Sequence, residues 1–161
     1  MRLMRPLAAM TGAALVCGSA YALAIAVPLP ERVDKADFIG VVEIRSVWRS
    51  NVPEPPEGEP LPLSIHLQNA DAAVVEVIKG DRIPSHVIIN FDNGSDCPNV
   101  LYERGAVYLV FLREDADGGY STIGYSQGRF EIRDDLIDYW GRNEVVTLDG
   151  ARQDIVRLMA R

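Results

Sequence analysis

Gly105 to Arg113 reads GAVYLVFLR, in which six consecutive apolar or aromatic residues, Val107 to Leu112, stand ahead of an arginine. A run this short and this apolar predicts a strand covered on both faces. Its β-branched and aromatic content suits a pleated surface. Burying Val107, Leu109 and Phe111 alone stabilises a core by roughly 1.5 to 3 kcal/mol each. The other segments can be arranged around this strand.

Upstream, Ala36 to Trp48 places Phe38, Gly40, Val42 and Ile44 on one parity, with Glu43, Arg45 and then Arg49 on the other. The internal glycine predicts a bend or bulge that lets the strand curl into a small closed barrel. Leu63 to Leu67 is expected to pair briefly, and Ala72 to Ile78 is a firmer strand. Ile83 to Phe91 sets Val87, Ile89 and Phe91 on one parity and His86, Ile88 and Asn90 on the other, and Lys79-Gly80-Asp81 joins the two strands as a hairpin. Asp92 to Arg104, with its Asn, Gly, Ser and Pro, is a loop that delivers the chain into the central strand.

Downstream, Glu114 to Gly119 is an acidic turn, and Tyr120 to Tyr125 a short strand antiparallel to the central one. Arg129 to Arg133 and Leu136 to Trp140 form a last hairpin about Asp134-Asp135, with a single-turn helix from Asp134 as the competing form. Asp149 to Arg161 is the best helix, with Asp149 as N-cap and Ala151, Ile155, Leu158 and Met159 on one face. A helix of about a dozen residues is marginal alone, so it is expected to pack on the barrel. Asn51 to Pro62 carries five prolines and three glutamates and reads as a stiff, extended loop between strands. Residues 23–34, with prolines at Pro28 and Pro30, are expected to be an extended lead-in.

Met1 to Arg5 carries two arginines and no acid, Pro6 to Ala20 is apolar and small, and Ala20-Tyr21-Ala22 has a small-x-small form. Residues 1–22 are therefore expected to be a signal peptide, cleaved after Ala22 with Ala24 or Ala26 as fallback sites. The apolar stretch is shorter than the roughly 20 residues a spanning helix needs, so no stable membrane span is expected after cleavage. The mature protein is expected in the periplasm or outside the cell. Bulky Val16 before Cys17 argues against a lipid-modified cysteine.

Once Cys17 leaves with the leader, Cys97 is expected to stand unpaired, with no disulfide. Its ordinary reading is a half-buried small hydrophobe, with a reactive thiol or an intermolecular bridge as alternatives. Removing Arg2 and Arg5 from 16 basic residues leaves 14 against 23 acidic ones, a formal charge of −9. So acidic a chain repels phosphate backbones, which argues against a nucleic-acid partner.

His66 and His86 lie in expected strands without HxxxH or CxxC spacing, and no serine stands in a G-x-S-x-G elbow. Counted from Asp92 as a calcium loop, Glu103 falls on the twelfth position, but Gly94 occupies the third and Cys97 the sixth, where geometry is strictest. Glu114, Asp115, Asp117, Glu131, Asp134, Asp135 and Asp138 read as a solvated acidic rim. No catalytic residue, metal ligand or cofactor is expected. Trp48 beside the proline-rich loop and Trp140 at the end of the last hairpin are candidate contact residues, with core-edge packing as the ordinary alternative.

Ala36-Asp37-Phe38-Ile39-Gly40-Val41-Val42, Val77-Ile78-Lys79-Gly80, Cys97 and Glu103-Arg104-Gly105 followed by the central strand resemble the secreted bacterial proteins of the TIMP-like and netrin-like superfamily. The resemblance covers about Lys35 to Tyr125. It implies a five-stranded OB-like antiparallel barrel over residues 35–125; with the β-hairpin and the C-terminal helix read above over residues 126–161 and packed on it, the expected fold is mainly β. Eukaryotic inhibitors of that superfamily chelate a protease's zinc through an N-terminal cysteine held by disulfides. Here the expected N-terminus is Leu23, and no cysteine follows before Cys97. The expectation is an exported, non-enzymatic module that binds an unidentified protein or envelope component through its loops, with Trp48, Glu54, Glu57, Asp117 and Trp140 as contacts. Regulation of a secreted metalloprotease is the alternative.

Overall fold

The central run forms β4 (Val107–Glu114), and its surroundings explain why it is apolar along most of its length. On one edge it pairs antiparallel with β1 (Phe38–Arg49), from Phe38 opposite Leu112 to Glu43 opposite Val107. Alternate side chains of β4 serve two separate cores. Tyr108, Val110 and Leu112 pack inside the barrel with Phe38, Val42, Ile44, Val87, Ile89 and Phe91. Leu109 and Phe111 pack outside it with Val33, Ile39, Ile137, Ala151 and Ile155. A strand covered on both faces loses the polar alternation of a half-exposed one. The computed structural model describes residues 27–49, 68–91, 101–138 and 144–161, apart from the side chains of Tyr125 and Ser126. The expected signal peptide, the proline-rich loop with Glu54 and Glu57, the brief pairing of Leu63 to Leu67, His66, Cys97 and Trp140 lie outside the described residues.

The other edge of β1 pairs with β2 (Gln68–Lys79), β2 pairs with β3 (His86–Phe91), and β5 (Tyr120–Thr122) joins β3 to β4. The ring β1-β2-β3-β5-β4 closes on itself, giving a mainly β, five-stranded, OB-like barrel. The expected antiparallel order holds at every contact but one: Ile89 and Asn90 of β3 run parallel to Tyr120 and Ser121 of β5. Directions that strictly alternate cannot close an odd ring, so one parallel pair is compulsory. As its internal glycine predicts, β1 bends, and its register against β2 shifts at Ile39/Gly40, Val41/Val42 and Ile44/Ser46. A Cβ on Gly40 would lie 2.2 Å from the Glu76 carbonyl oxygen and 2.6 Å from Phe38 Cζ, so β2 passes against bare backbone there.

The lead-in is not extended throughout, because Leu29–Lys35 forms a helix, α1. Pro28 is its N-cap and Pro30 lies in the first turn, where a backbone amide has no intrahelical partner for a proline to remove. Tertiary contacts hold so short a helix in place. Val33 and Ala36 enter the outer core. Buried Arg32 donates from Nε to the Val27 carbonyl at 2.7 Å and from Nη1 to the Gln127 carbonyl. Its guanidinium stands 5.8 Å from the centre of the Phe130 ring. The Gln127 side chain accepts from the Val27 amide at 2.9 Å, which closes the clasp.

After a 3-10 turn at Tyr125–Gly128, β6 (Arg129–Glu131) pairs with β4 and not with β7 (Leu136–Asp138). The expected turn is present: Asp134 and Asp135 adopt φ of 50° and 63°, and Arg133 and Leu136 exchange backbone hydrogen bonds of 2.9 and 2.8 Å. The hairpin expected over 129–133 and 136–140 shrinks to that one bridge, since β6 completes the edge of β4 and β7 takes β8 (Val145–Thr147) as its partner. β8 runs directly into α2 (Leu148–Met159). The cap is Thr147, whose Oγ1 accepts from the Gly150 amide at 3.1 Å. Asp149, expected as the cap, sits in the first turn, where its charge still favours the helix N-terminus. Ala151 and Ile155 are fully buried on the outer core, whereas Met159, placed on the same face from the sequence, is largely uncovered. Arg152 grips Glu76 of β2 through Nε at 2.8 Å and Nη2 at 2.6 Å. No helix among the described residues is long and apolar enough to cross a membrane.

An aromatic cluster fills part of the barrel. The Tyr102 ring lies 5.3 Å from those of Phe91 and Tyr108, and the Arg129 guanidinium stands 5.6 and 5.0 Å from the Tyr102 and Tyr108 ring centres. The Tyr102 hydroxyl shares a 2.7 Å hydrogen bond with that of Thr122, while the Tyr108 hydroxyl accepts from the Glu103 amide at 3.2 Å. Burial pushes the Tyr102 phenol far above its ordinary range, and those of Tyr108 and Tyr120 upward in the same sense. The folded state therefore favours neutral phenols. Their contribution to stability is intact below about pH 10, the unfolded value, and is lost as pH rises past it towards the raised folded values. Phenolate absorbance from these tyrosines is expected to appear together with loss of the near-ultraviolet circular dichroism. Their gradual ionisation in a chain that stays folded would contradict this.

Candidate functional site

Strand register assembles a surface that no single segment contains. Residues directly opposite across paired strands point to the same face. Across β1, β2 and β3 they form three rows: Trp48–Asn69–Asn90, Ser46–Asp71–Ile88 and Glu43–Ala73–His86. The intervening Val47, Ala70 and Ile89 turn into the barrel core. The three rows therefore share the outward parity of this face, although Asn90 and Ala73 are themselves buried there. Trp48 and Ile88 are its exposed large side chains, at 40% and 39% accessibility.

One end of this face gathers several connections. Gln68 pairs with Arg49 on one side and Phe91 on the other, and the chain leaves the described strands after Arg49 and Phe91 and re-enters at Gln68. The turn between β4 and β5 is fastened to the same end. Asp115 Oδ2 accepts from Asn90 Nδ2 at 3.0 Å and from Ser121 Oγ at 2.6 Å. Gly119 is packed so closely that a Cβ there would lie 2.6 Å from Asn90 Nδ2. Asp117 is exposed, and its Oδ1 accepts from the Gly119 amide at 3.0 Å, which holds the turn's shape. Of the residues expected to make contacts, Trp48 and Asp117 thus belong to elements that meet at this end. Glu54, Glu57 and Trp140 fall outside the described residues.

Two carboxylates of the face have side-chain partners. Glu43 pairs with Arg45 at 3.0 Å, and Asp71 Oδ1 lies 3.0 Å from His86 Nδ1. His86 is exposed, as its strand parity predicts. Among the described residues no group of three His, Cys, Asp or Glu is placed to share a metal ion.

Neither a protein-family model nor a curated protein matches this sequence. Chemically, the face offers an aromatic plane, an amide in the next strand and paired charges. That set suits adsorption and hydrogen bonding. Asn69, Asn90 and Ser46 were not singled out from the sequence. The signal available was the alternation in Gln68 to Ala73, where Asn69 and Asp71 share one parity and Ala70 and Ala72 the other.

Proposed function

We propose that this chain is an exported, non-enzymatic OB-fold module that binds a protein or envelope component through one end of its barrel and the adjoining β1–β2–β3 face. The observation that carries this reading is the gathering of strand ends. The strand ends Arg49, Gln68 and Phe91, where the chain leaves or enters the barrel, lie together beside Asn90 and the β4–β5 turn that it holds, on a barrel whose framework is hydrogen-bonded and closed. Connections gathered on a rigid scaffold are where recognition is commonly carried. The resemblance to the TIMP-like and netrin-like superfamily supports the same reading from the sequence side. It is also the sole support for the alternative, regulation of a secreted metalloprotease, which a protease assay with the mature domain decides.

The test is capture from an envelope extract by the mature chain and by a variant carrying Ser46→Arg and Ile88→Arg, two exposed positions on the face. A component retained by the parent and lost by the variant, at equal thermal stability, is the expected result. An identical set recovered by both would remove this face from the account.

A further inference from the structure

We infer that the barrel carries a latch: β5, with the turn that precedes it, releases from β3 as a local unit while the other strands stay paired, and the Asp115 carboxylate holds it shut. β1 and β2 are paired from Ile39–Lys79 to Arg49–Gln68, β2 and β3 from Gln68–Phe91 to Ala73–His86, and β1 and β4 from Phe38–Leu112 to Glu43–Val107. Among the described residues β3 and β5 share only Ile89–Tyr120 and Asn90–Ser121, and these run parallel. A parallel pair is slightly less stable per residue than an antiparallel one. So short a ladder is where local opening costs least.

What fastens this contact is polar. Asn90, buried near the end of β3, donates from Nδ2 to Asp115 Oδ2 at 3.0 Å, and Ser121 of β5 donates from Oγ to the same oxygen at 2.6 Å. One oxygen therefore ties β3, β5 and the β4–β5 turn together. Bonds to a carboxylate are stronger than neutral ones, yet all three groups regain water on release, which makes a polar tie easier to undo than an apolar interlock. The released piece is firm within itself. The Asp115 amide donates to the Gly119 carbonyl at 2.8 Å and the Gly118 amide to the Asp115 carbonyl at 3.0 Å, while the pairs from Leu112–Thr122 to Glu114–Tyr120 keep β5 on β4. The Tyr120 ring, edge-on to Phe38 at 6.4 Å, and the Tyr102–Thr122 hydroxyl bond limit its travel. The latch thus decides whether the turn bearing Asp117 stays beside the strand ends Arg49, Gln68 and Phe91.

The experiment is amide-resolved hydrogen exchange on the mature chain at stepped, sub-denaturing urea. In the parent, amides bonded between β3 and β5 are expected to exchange about tenfold or more faster than those bonded between β1 and β2, with little urea dependence because little surface is exposed. Asp115→Ala is expected to speed the β3–β5 amides about tenfold further, while the β1–β2 amides follow only the change in global stability read from the urea midpoint. Asp115→Asn is expected to keep most of the protection, since both donors use one oxygen and a carboxamide oxygen can take its place. Ser121→Ala, which removes one of the two bonds, is expected to fall between the parent and Asp115→Ala, and it gives the same reading should Asp115→Ala fail to fold. Equal protection of the β3–β5 and β1–β2 amides in the parent, or a variant that accelerates every strand in step, overturns the inference.

Discussion

Gly40→Ala is expected to lower the unfolding free energy by about 3 kcal/mol, measured as a shift in the urea midpoint at unchanged slope. The added methyl would meet the Glu76 carbonyl oxygen at 2.2 Å, and that atom is backbone, not the end of a flexible side chain. Relief would have to come from separating β1 and β2, whose register already shifts beside Gly40. The second obstacle, the Phe38 ring, is fully buried and has little room to swing away. Moving β2 would also disturb Glu76 and its grip on Arg152. A loss below about 1 kcal/mol would show that the bend does not depend on the glycine.

Arg32→Ala is expected to cost about 2–4 kcal/mol and to lower the melting temperature by on the order of 10 °C. The side chain reaches two carbonyls, those of Val27 and Gln127, and lies over Phe130. Truncation leaves those carbonyls short of a donor and opens space in a buried site. Arg32→Lys is expected to recover little, because an ammonium lacks the planar fork that serves two directions at once. The matching readout is faster proteolysis near residues 27–35 in the alanine variant. Unchanged cleavage and melting would mean that α1 is held by Val33 and Ala36 alone.

The elements that the sequence made legible are those whose burial leaves a periodic mark. GAVYLVFLR is apolar on both parities because Tyr108 and Phe111 serve different cores. The β2–β3 hairpin showed in the alternation of Val87, Ile89 and Phe91 about a glycine-containing turn. α1 was hidden because its two prolines read as helix breakers, and only its first-turn placement makes them harmless. β8 is three residues long, too short for any period, and the cap at Thr147 was masked by an equally plausible aspartate two residues on. Of the candidate site, Trp48 stood out as a lone aromatic at a strand end. Its row did not, because three register shifts in β1 decide which β2 residue lies opposite, and those shifts depend on tertiary packing.

The single parallel contact has a consequence for how the barrel behaves. β3 and β5 meet over just Ile89–Tyr120 and Asn90–Ser121, and the Asp115 carboxylate braces the junction by bonding Asn90 and Ser121 together. The cylinder thus has a built-in seam, and the seam adjoins the row that carries Trp48 and Asn69. Parting that short join frees Asn90 and Ser121 from one carboxylate at once, so loss of the Asp115 brace and opening of the cylinder are a single event.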